Sequence, residues 1–76
     1  LYLPRKEFEL LYYLVRHYPK VATREQLIEE IWGYDFDGDE RTVDVHVKRI
    51  RKRLGAFDSG VEIQTVRGVG YKVHHV

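Results

Sequence analysis

The sequence contains no cysteine, and this absence excludes two kinds of site. Disulfide bonds and thiolate zinc sites both need cysteine, and a chain without disulfides is typical of a reducing compartment. No apolar run approaches the roughly 20 residues of a membrane-spanning helix. The first residues, LYLPRKEF, show no signal-peptide pattern. We therefore expect a cytoplasmic protein with no membrane partner.

Residues able to do catalytic chemistry are also scarce. Ser59 is the single serine and lies in a predicted turn, and no histidine pairs with a serine or cysteine nucleophile. His74 and His75 are adjacent in a predicted strand, so their side chains would point to opposite faces and form no ready metal site. The glycines match neither common phosphate-binding motif. We expect no enzyme activity, no metal and no cofactor.

The net charge of +1 conceals an uneven distribution of charge along the chain. Residues 1–40 hold five Lys and Arg against nine Asp and Glu, whereas residues 41–76 hold eight against three. The basic half suits a polyanion such as nucleic acid, and the acidic half suits a different partner.

The most informative stretch is Arg41–Leu54, RTVDVHVKRIRKRL. On a helix its apolar residues fall on one narrow stripe that should face the core: Val43, Val47, Ile50 and Leu54. The opposite side carries Arg41, Val45, Lys48, Arg49 and Lys52. Like charges spaced four apart destabilise an isolated helix, so a polyanion would compensate, and Val45 suits contact with a thymine methyl group. The pattern favours a DNA recognition helix over a merely solvated basic helix.

Two further helices are predicted before it. In the first, from Arg5 to about Tyr18, the apolar positions Phe8, Leu11, Val15 and Tyr18 follow helical spacing, and Leu14, Tyr12 and Tyr13 widen the apolar arc. We expect its aromatics to be core residues, with part of the arc packing beyond the following helices. The second begins at Thr23 with the capping box TREQ, runs for about nine residues and ends at Gly33.

The loop at residues 33–40, GYDFDGDE, is acidic and carries two aromatic residues. The alternating Asp35, Asp37 and Asp39 do not make a calcium loop, because the sixth position is not glycine and the twelfth is His46, a residue that we expect to pack rather than ligate. The loop is either a solvated turn or a contact surface for a protein partner, with Tyr34 and Phe36 as anchors.

The end of the chain is predicted to form a β-hairpin. Residues 61–66 and 71–73 alternate like strands, and residues 67–70, RGVG, supply the turn. An arginine at the tip, Arg67, has the shape needed to enter a DNA minor groove. Three helices followed by a hairpin predict an α+β fold of the winged helix-turn-helix class.

At this point the chain resembles a known family, the DNA-binding effector domain of the OmpR/PhoB group of bacterial response regulators. Five blocks carry the resemblance in order and at family spacing: RKEFELL at 5–11, TREQL at 23–27, WGYD at 32–35, RTVDVHVKRIRK at 41–52 and TVRGVGY at 65–71. The resemblance implies a transcription factor that places its third helix in the major groove and its wing in a minor groove. It also implies binding as tandem copies on direct repeats, as the output of a two-component phosphorelay.

The same resemblance assigns roles to individual positions. The implied base contacts are Thr42, Asp44, Val45, Arg49 and Arg67. The implied phosphate contacts are Trp32, Arg41, Thr42, Lys48, Arg51, Thr65 and Tyr71. The implied contact with RNA polymerase is made by Tyr34, Asp35, Phe36, Asp37, Asp39 and Glu40. Lys48 is arginine in some relatives, and lysine can hold a phosphate only as a point charge.

The chain departs from the family pattern in two ways. Pro4 stands where Thr or Ser is usual, so the first helix lacks a side-chain cap worth about 1 kcal/mol. The family also has a four-stranded sheet before the first helix and a receiver domain before that sheet. We expect residues 1–76 to be one domain of a longer response regulator, with residues 1–3 as the end of the last strand and with the apolar face of the first helix uncovered.

A protein-interaction module on the same scaffold is the alternative from another class, because a basic face also fits an acidic protein. Arg67 discriminates between the two, since only a minor-groove role requires it for DNA affinity. RNA binding is a weaker option, because the aromatics do not form an exposed stacking platform beside basic residues.

Overall fold

The computed structural model describes residues 2–56 and 59–75 and confirms a winged helix-turn-helix. The elements, in chain order, are helix α1 (Arg5–Arg16), strand β1 (Ala22–Thr23), helix α2 (Arg24–Leu27) continuing into a π-helical turn (Ile28–Trp32), helix α3 (Arg41–Leu54), and strands β2 (Val61–Val66) and β3 (Gly70–His75). In the described ranges, no helix combines the length and the hydropathy needed to cross a membrane.

Helix α1 buries a different face from the one predicted. Leu10 and Leu14 are fully buried, whereas Phe8, Val15 and Tyr18 are each about half exposed. The prediction that the aromatics of this helix lie in the core is therefore wrong for Phe8, Tyr12 and Tyr18, whereas the expectation that part of the apolar face is uncovered is confirmed by Phe8 and Tyr12. The apolar arc is wider than the rest of the domain can cover, and α3 and β3 pack on its Leu10 and Leu14 side.

The ends of α1 also differ from the expectation. Pro4 occupies the N-cap position without a side-chain hydrogen bond, as the sequence predicts, and the helix stops at Arg16 rather than near Tyr18. Tyr2 and Leu3 belong to no strand, and Leu1 lies outside the described residues. The prediction that residues 1–3 end a strand finds no support in Tyr2 and Leu3.

The start and end of the second helix are confirmed. The Thr23 hydroxyl accepts a hydrogen bond from the Gln26 backbone N–H, and the Gln26 side chain accepts one from the Thr23 N–H. Gly33 ends the helix with a φ of 100°, a conformation that favours glycine. The last turn is wider than an α-helical turn, because the Gly33 N–H donates to the Ile28 carbonyl five residues earlier, at 2.9 Å.

The hairpin belongs to a three-stranded antiparallel sheet with the order β1-β3-β2. Strand β1 was not predicted, because two residues carry no strand pattern. It pairs Ala22 with Tyr71 and Thr23 with Gly70, while β2 pairs with β3 along its whole length, from Val61 opposite His75 to Val66 opposite Gly70. The residues that lead into α2 are thereby attached to the tip end of the wing, beside the turn at residues 67–69.

The core lies between the three helices and the inner face of the sheet. The predicted stripe of α3 is confirmed, since Val43, Val47 and Ile50 are fully buried and Leu54 is 7% exposed. The core is completed by residues of the other elements: Leu10, Leu14, Ala22, Leu27, Ile31, Ile63, Tyr71 and Val73. Burial of this stripe fixes the rotation of α3 and turns its cationic side outward.

Candidate nucleic-acid interface

The outward side of α3 presents cations that are free of ion pairs within the described part of the chain. Lys48, Arg49 and Lys52 are exposed, and no ion pair between described residues involves them. Val45, on the same side, is 43% exposed. An apolar side chain among cations matches the major groove, which offers thymine methyl groups between two lines of phosphates.

The tip of the hairpin presents a further cation. Arg67 is exposed at the turn between β2 and β3, and the turn is closed by a hydrogen bond from the Val69 N–H to the Val66 carbonyl at 3.0 Å. Gly68 adopts a φ of 76°, which glycine reaches without strain. The exposed side chain of Arg67 is therefore presented on a defined turn.

Arg41 is also exposed but is already paired. Its guanidinium contacts both carboxylate oxygens of Asp39, at 2.9 Å for Nη2, and its backbone N–H donates to Asp39 Oδ1 at 2.9 Å. The hydrogen bond from the Arg41 side chain holds the pKa of Asp39 below its usual value. Asp39, from the acidic loop, thus caps the first turn of α3. It also pairs with the side chain of Arg41, a residue that was predicted to bind phosphate.

Asp44 is engaged from two other elements. Its Oδ1 atom accepts a hydrogen bond from Arg24 Nε at 2.8 Å and another from the Tyr71 hydroxyl. Burial raises the pKa of Asp44, but the hydrogen bonds from Tyr71 and Arg24 outweigh it, so that its pKa lies below the ordinary value. Asp44 is ionised at neutral pH and is held by α2 and β3.

The pKa of the Tyr71 hydroxyl is shifted in the opposite direction. Burial raises the pKa of Tyr71, and the hydrogen bond to Asp44 raises it further. Tyr71 is 5% exposed, and its hydroxyl remains protonated at neutral pH. A single O–H donor directed at Asp44 has no second hydrogen to offer a phosphate.

Arg51 and Thr65 form a contact between α3 and β2. The Arg51 guanidinium donates to the Ile63 carbonyl at 2.8 Å and 3.1 Å and to the Thr65 hydroxyl at 2.8 Å. Two predicted phosphate contacts are therefore hydrogen-bonded to one another, and both side chains are exposed. Arg51 has further N–H groups and can still offer one outward.

Trp32 belongs to an aromatic cluster at the start of α3. Its ring packs against His46, with centroids 4.8 Å apart, and against Phe36, at 5.7 Å. His46 is half-buried and its Nδ1 lies 2.8 Å from the Thr42 carbonyl, so it packs as expected. Thr42 itself is half-buried beside Gly38. No group of residues in the described ranges has the composition of a metal site.

The acidic loop exposes one of its two aromatics. Tyr34 is 88% exposed, whereas Phe36 turns inward against Trp32 and is only partly accessible. The remaining acidic members of the loop are exposed: Asp35, Asp37, Asp39 and Glu40. Of the two aromatic residues predicted to anchor a protein partner, only Tyr34 is largely exposed.

Sequence reasoning missed Arg24, which the structure places beside the predicted site. Its guanidinium lies 5.6 Å from the centroid of the Tyr71 ring as well as pairing with Asp44. In the sequence Arg24 is only the first residue after a helix cap, 20 positions from Asp44. No local pattern indicates a contact at that separation.

Comparison with known proteins places this geometry in a family. The family described as "Transcriptional regulatory protein, C terminal" matches residues 1–73. The heme response regulator HssR of Staphylococcus aureus is 58% identical over 73 residues, which cover 96% of this chain and 33% of that protein. The chain thus spans about a third of the length of the curated relatives it matches.

Solved structures agree with the sequence comparison. The DNA-binding domain of Bacillus subtilis CssR superimposes with a TM-score of 0.84 at 32% identity, covering 96% of this chain and 78% of that one. The Klebsiella pneumoniae RstA DNA-binding domain, solved in complex with the RstA box, superimposes with a TM-score of 0.77 at 35% identity, covering 95% and 72%. The chain belongs to the OmpR/PhoB-type family of C-terminal DNA-binding domains of transcriptional regulators.

Proposed function

We propose that this domain reads a specific duplex DNA sequence with α3 in the major groove and the tip of the hairpin in an adjacent minor groove. The observation that carries the proposal is the exposed face of α3, on which the exposed Val45 lies beside the cations Lys48, Arg49 and Lys52. Arg67 on the wing adds a second cation on a separate element. Because the proposed ligand is chromosomal DNA, we place the domain in the cytoplasm.

The roles of individual residues follow the usual division between base and phosphate contacts. The proposed base contacts are Thr42, Asp44, Val45, Arg49 and Arg67. The proposed phosphate contacts are Trp32, Arg41, Thr42, Lys48, Arg51, Thr65 and Tyr71. No ion pair between described residues has to break when DNA is bound by Lys48, Arg49 and Arg67. Arg41 has to exchange Asp39 for a phosphate.

We also propose that residues 1–76 are one domain of a longer response regulator, joined to a receiver domain that responds to phosphorylation. The HssR relatives support this proposal, because they are about three times as long as this chain and are named as response regulators. A single small domain offers few contacts, so two copies on tandem half-sites about one helical turn apart would raise the affinity.

Base readout by Arg49 and Arg67 is testable by selection from a random-sequence DNA library. Wild type should enrich a repeated half-site. Arg49→Ala and Arg67→Ala should each lower specific affinity by about 10- to 100-fold and relax the preference at different base positions. Arg49→Lys keeps the charge but loses the planar fork, so it should relax the preference at the same positions as Arg49→Ala.

A salt titration of the same variants separates phosphate contacts from base contacts. Counterion release depends on cationic contacts, so the three cations among the proposed phosphate contacts, Arg41, Lys48 and Arg51, predict a log–log slope of roughly −2.7. Lys48→Ala should reduce the slope by about 0.9 and weaken binding to all sequences alike, while Arg16→Ala on α1 serves as a charge-matched control. Wild-type binding without any enriched sequence would contradict the proposal and favour a protein-docking module.

We further propose that the acidic loop contacts RNA polymerase through Tyr34, Asp35, Phe36, Asp37, Asp39 and Glu40. Exposed carboxylates repel DNA but suit a basic protein surface, and Tyr34 offers an exposed aromatic anchor. Tyr34→Ala should leave DNA affinity unchanged and reduce polymerase recruitment to the bound operator by about tenfold or more. Tyr2→Ala, which removes an exposed tyrosine elsewhere, is the matched control. Full recruitment by Tyr34→Ala would remove the loop from the interface.

A further inference from the structure

A connected set of side chains joins the recognition helix to the wing. Arg24 from α2 and Tyr71 from β3 both bind Oδ1 of Asp44 on α3. The Tyr71 ring lies between two guanidinium groups, 5.6 Å from that of Arg24 and 5.8 Å from that of Arg51. Arg51 extends the connection to β2 through Ile63 and Thr65. Four elements meet at one buried tyrosine.

We infer that Arg24, Asp44 and Tyr71 form a clamp that sets the position of the wing relative to α3, and that Arg24 and Tyr71 are positioning residues for readout of two grooves at once. The inference rests on the proposed DNA-binding mode. For Tyr71, this inference replaces the proposed phosphate contact: the hydroxyl holds Asp44 within the domain instead of binding DNA.

The hydrogen-bond donor of the Tyr71 side chain favours the positioning role over a phosphate contact. The Tyr71 hydroxyl has one hydrogen, which Asp44 takes, so a phosphate contact as donor would require the bond to break. The ring of Tyr71 is buried, and opening the bond would leave the Asp44 carboxylate, itself partly buried, with one donor fewer. Hydrogen bonds to an ionised carboxylate are the stronger kind, so the clamp is a firm connection.

The geometry of the two DNA-contacting elements explains why such a clamp matters. Arg49 lies on α3 and Arg67 lies at the tip of the hairpin, and the second contact is efficient only if both elements fit the duplex together. Strand β3 leads directly from the tip turn to Tyr71 and so carries the wing's position to Asp44. The clamp therefore acts on the coupling between the two arginines rather than on either contact alone.

The test is Tyr71→Phe in the 76-residue chain, measured by double-mutant cycle with Arg67→Ala. Phenylalanine keeps the ring between the two guanidiniums and removes only the hydrogen bond. In the wild-type background Arg67→Ala should lower specific affinity by about tenfold or more, and in the Tyr71→Phe background by less than about threefold, because the wing is then held less firmly to α3. The salt slope should stay unchanged, and base preference should blur at the wing positions alone.

Two further variants keep the inference falsifiable. Arg24→Gln removes the guanidinium from the clamp at a residue with no proposed DNA contact, and it should reproduce the loss of coupling if Tyr71→Phe fails to fold by circular dichroism. Tyr12→Phe removes an exposed hydroxyl from α1 and should change nothing. An undiminished Arg67 effect in the Tyr71→Phe background, with uniformly weaker binding to all sequences, would show a direct phosphate contact and overturn the clamp. Loss of all sequence preference in wild type would instead overturn the proposed DNA readout.

Discussion

Gly70→Ala is expected to destabilise the domain by about 3 kcal/mol or more. A Cβ atom at Gly70 would lie 1.9 Å from the Ala22 carbonyl oxygen and 2.9 Å from the Thr23 Cα. Both neighbours are backbone atoms of β1, which cannot move aside as a flexible side chain can. The β1–β3 pairing would have to open, and with it the attachment of α2 to the wing.

Urea denaturation followed by circular dichroism measures this loss, with Gly68→Ala as the matched control. A Cβ at Gly68 meets no atom within 4 Å, so only its φ of +76° opposes the substitution. Gly68→Ala should therefore cost about 1 kcal/mol. Equal unfolding midpoints for the two variants would show that β1 does not approach β3 as closely as described.

Arg53→Ala should cost about 2 to 3 kcal/mol of folding free energy, although Arg53 belongs to the basic helix. Its Nε donates to Glu7 Oε1 at 2.8 Å, and Glu7 is only 3% exposed. Removal of the guanidinium leaves a carboxylate buried without its partner, which costs far more than loss of a surface pair. Arg53 is itself 40% exposed, which keeps the expected loss below the range for fully buried pairs.

Lys52→Ala is the control for Arg53→Ala, since Lys52 is an exposed neighbour on the same helix. Thermal unfolding should be almost unchanged in Lys52→Ala and clearly lowered in Arg53→Ala. The double variant Glu7→Leu with Arg53→Leu should recover much of the loss, because it removes both charges together. A Tm for Arg53→Ala equal to that of Lys52→Ala would show that Glu7 is solvated without its partner.

The orientation of α3 was predictable because one pattern decided it. Val43, Val47, Ile50 and Leu54 form a single stripe with cations opposite, so only one rotation of the helix buries the stripe. The cap at Thr23 was predictable for a similar reason, since both of its hydrogen bonds lie within four residues. Local chemistry determines these features.

The remaining features depend on pairs of residues distant in sequence. In α1 two apolar stripes overlap, and the position of α3 and β3, not the helix itself, selects Leu10 and Leu14 for burial. Strand β1 exists only because β3 lies beside it. The sequence around Asp44 gives no sign of its hydrogen bond to Arg24. The family pattern assigns Asp44 to base contact, yet Asp44 also accepts a hydrogen bond within the domain.

The π-helical turn at the end of α2 takes up one residue more than an α-helical turn holds, between Ile28 and Trp32. In an unbroken α-helix, one additional residue would rotate every later residue by roughly 100° about the axis. Because the wider turn takes up that residue locally, the ring of Trp32 packs against His46 and Phe36. The junction between the acidic loop and the recognition helix therefore depends on this single wide turn.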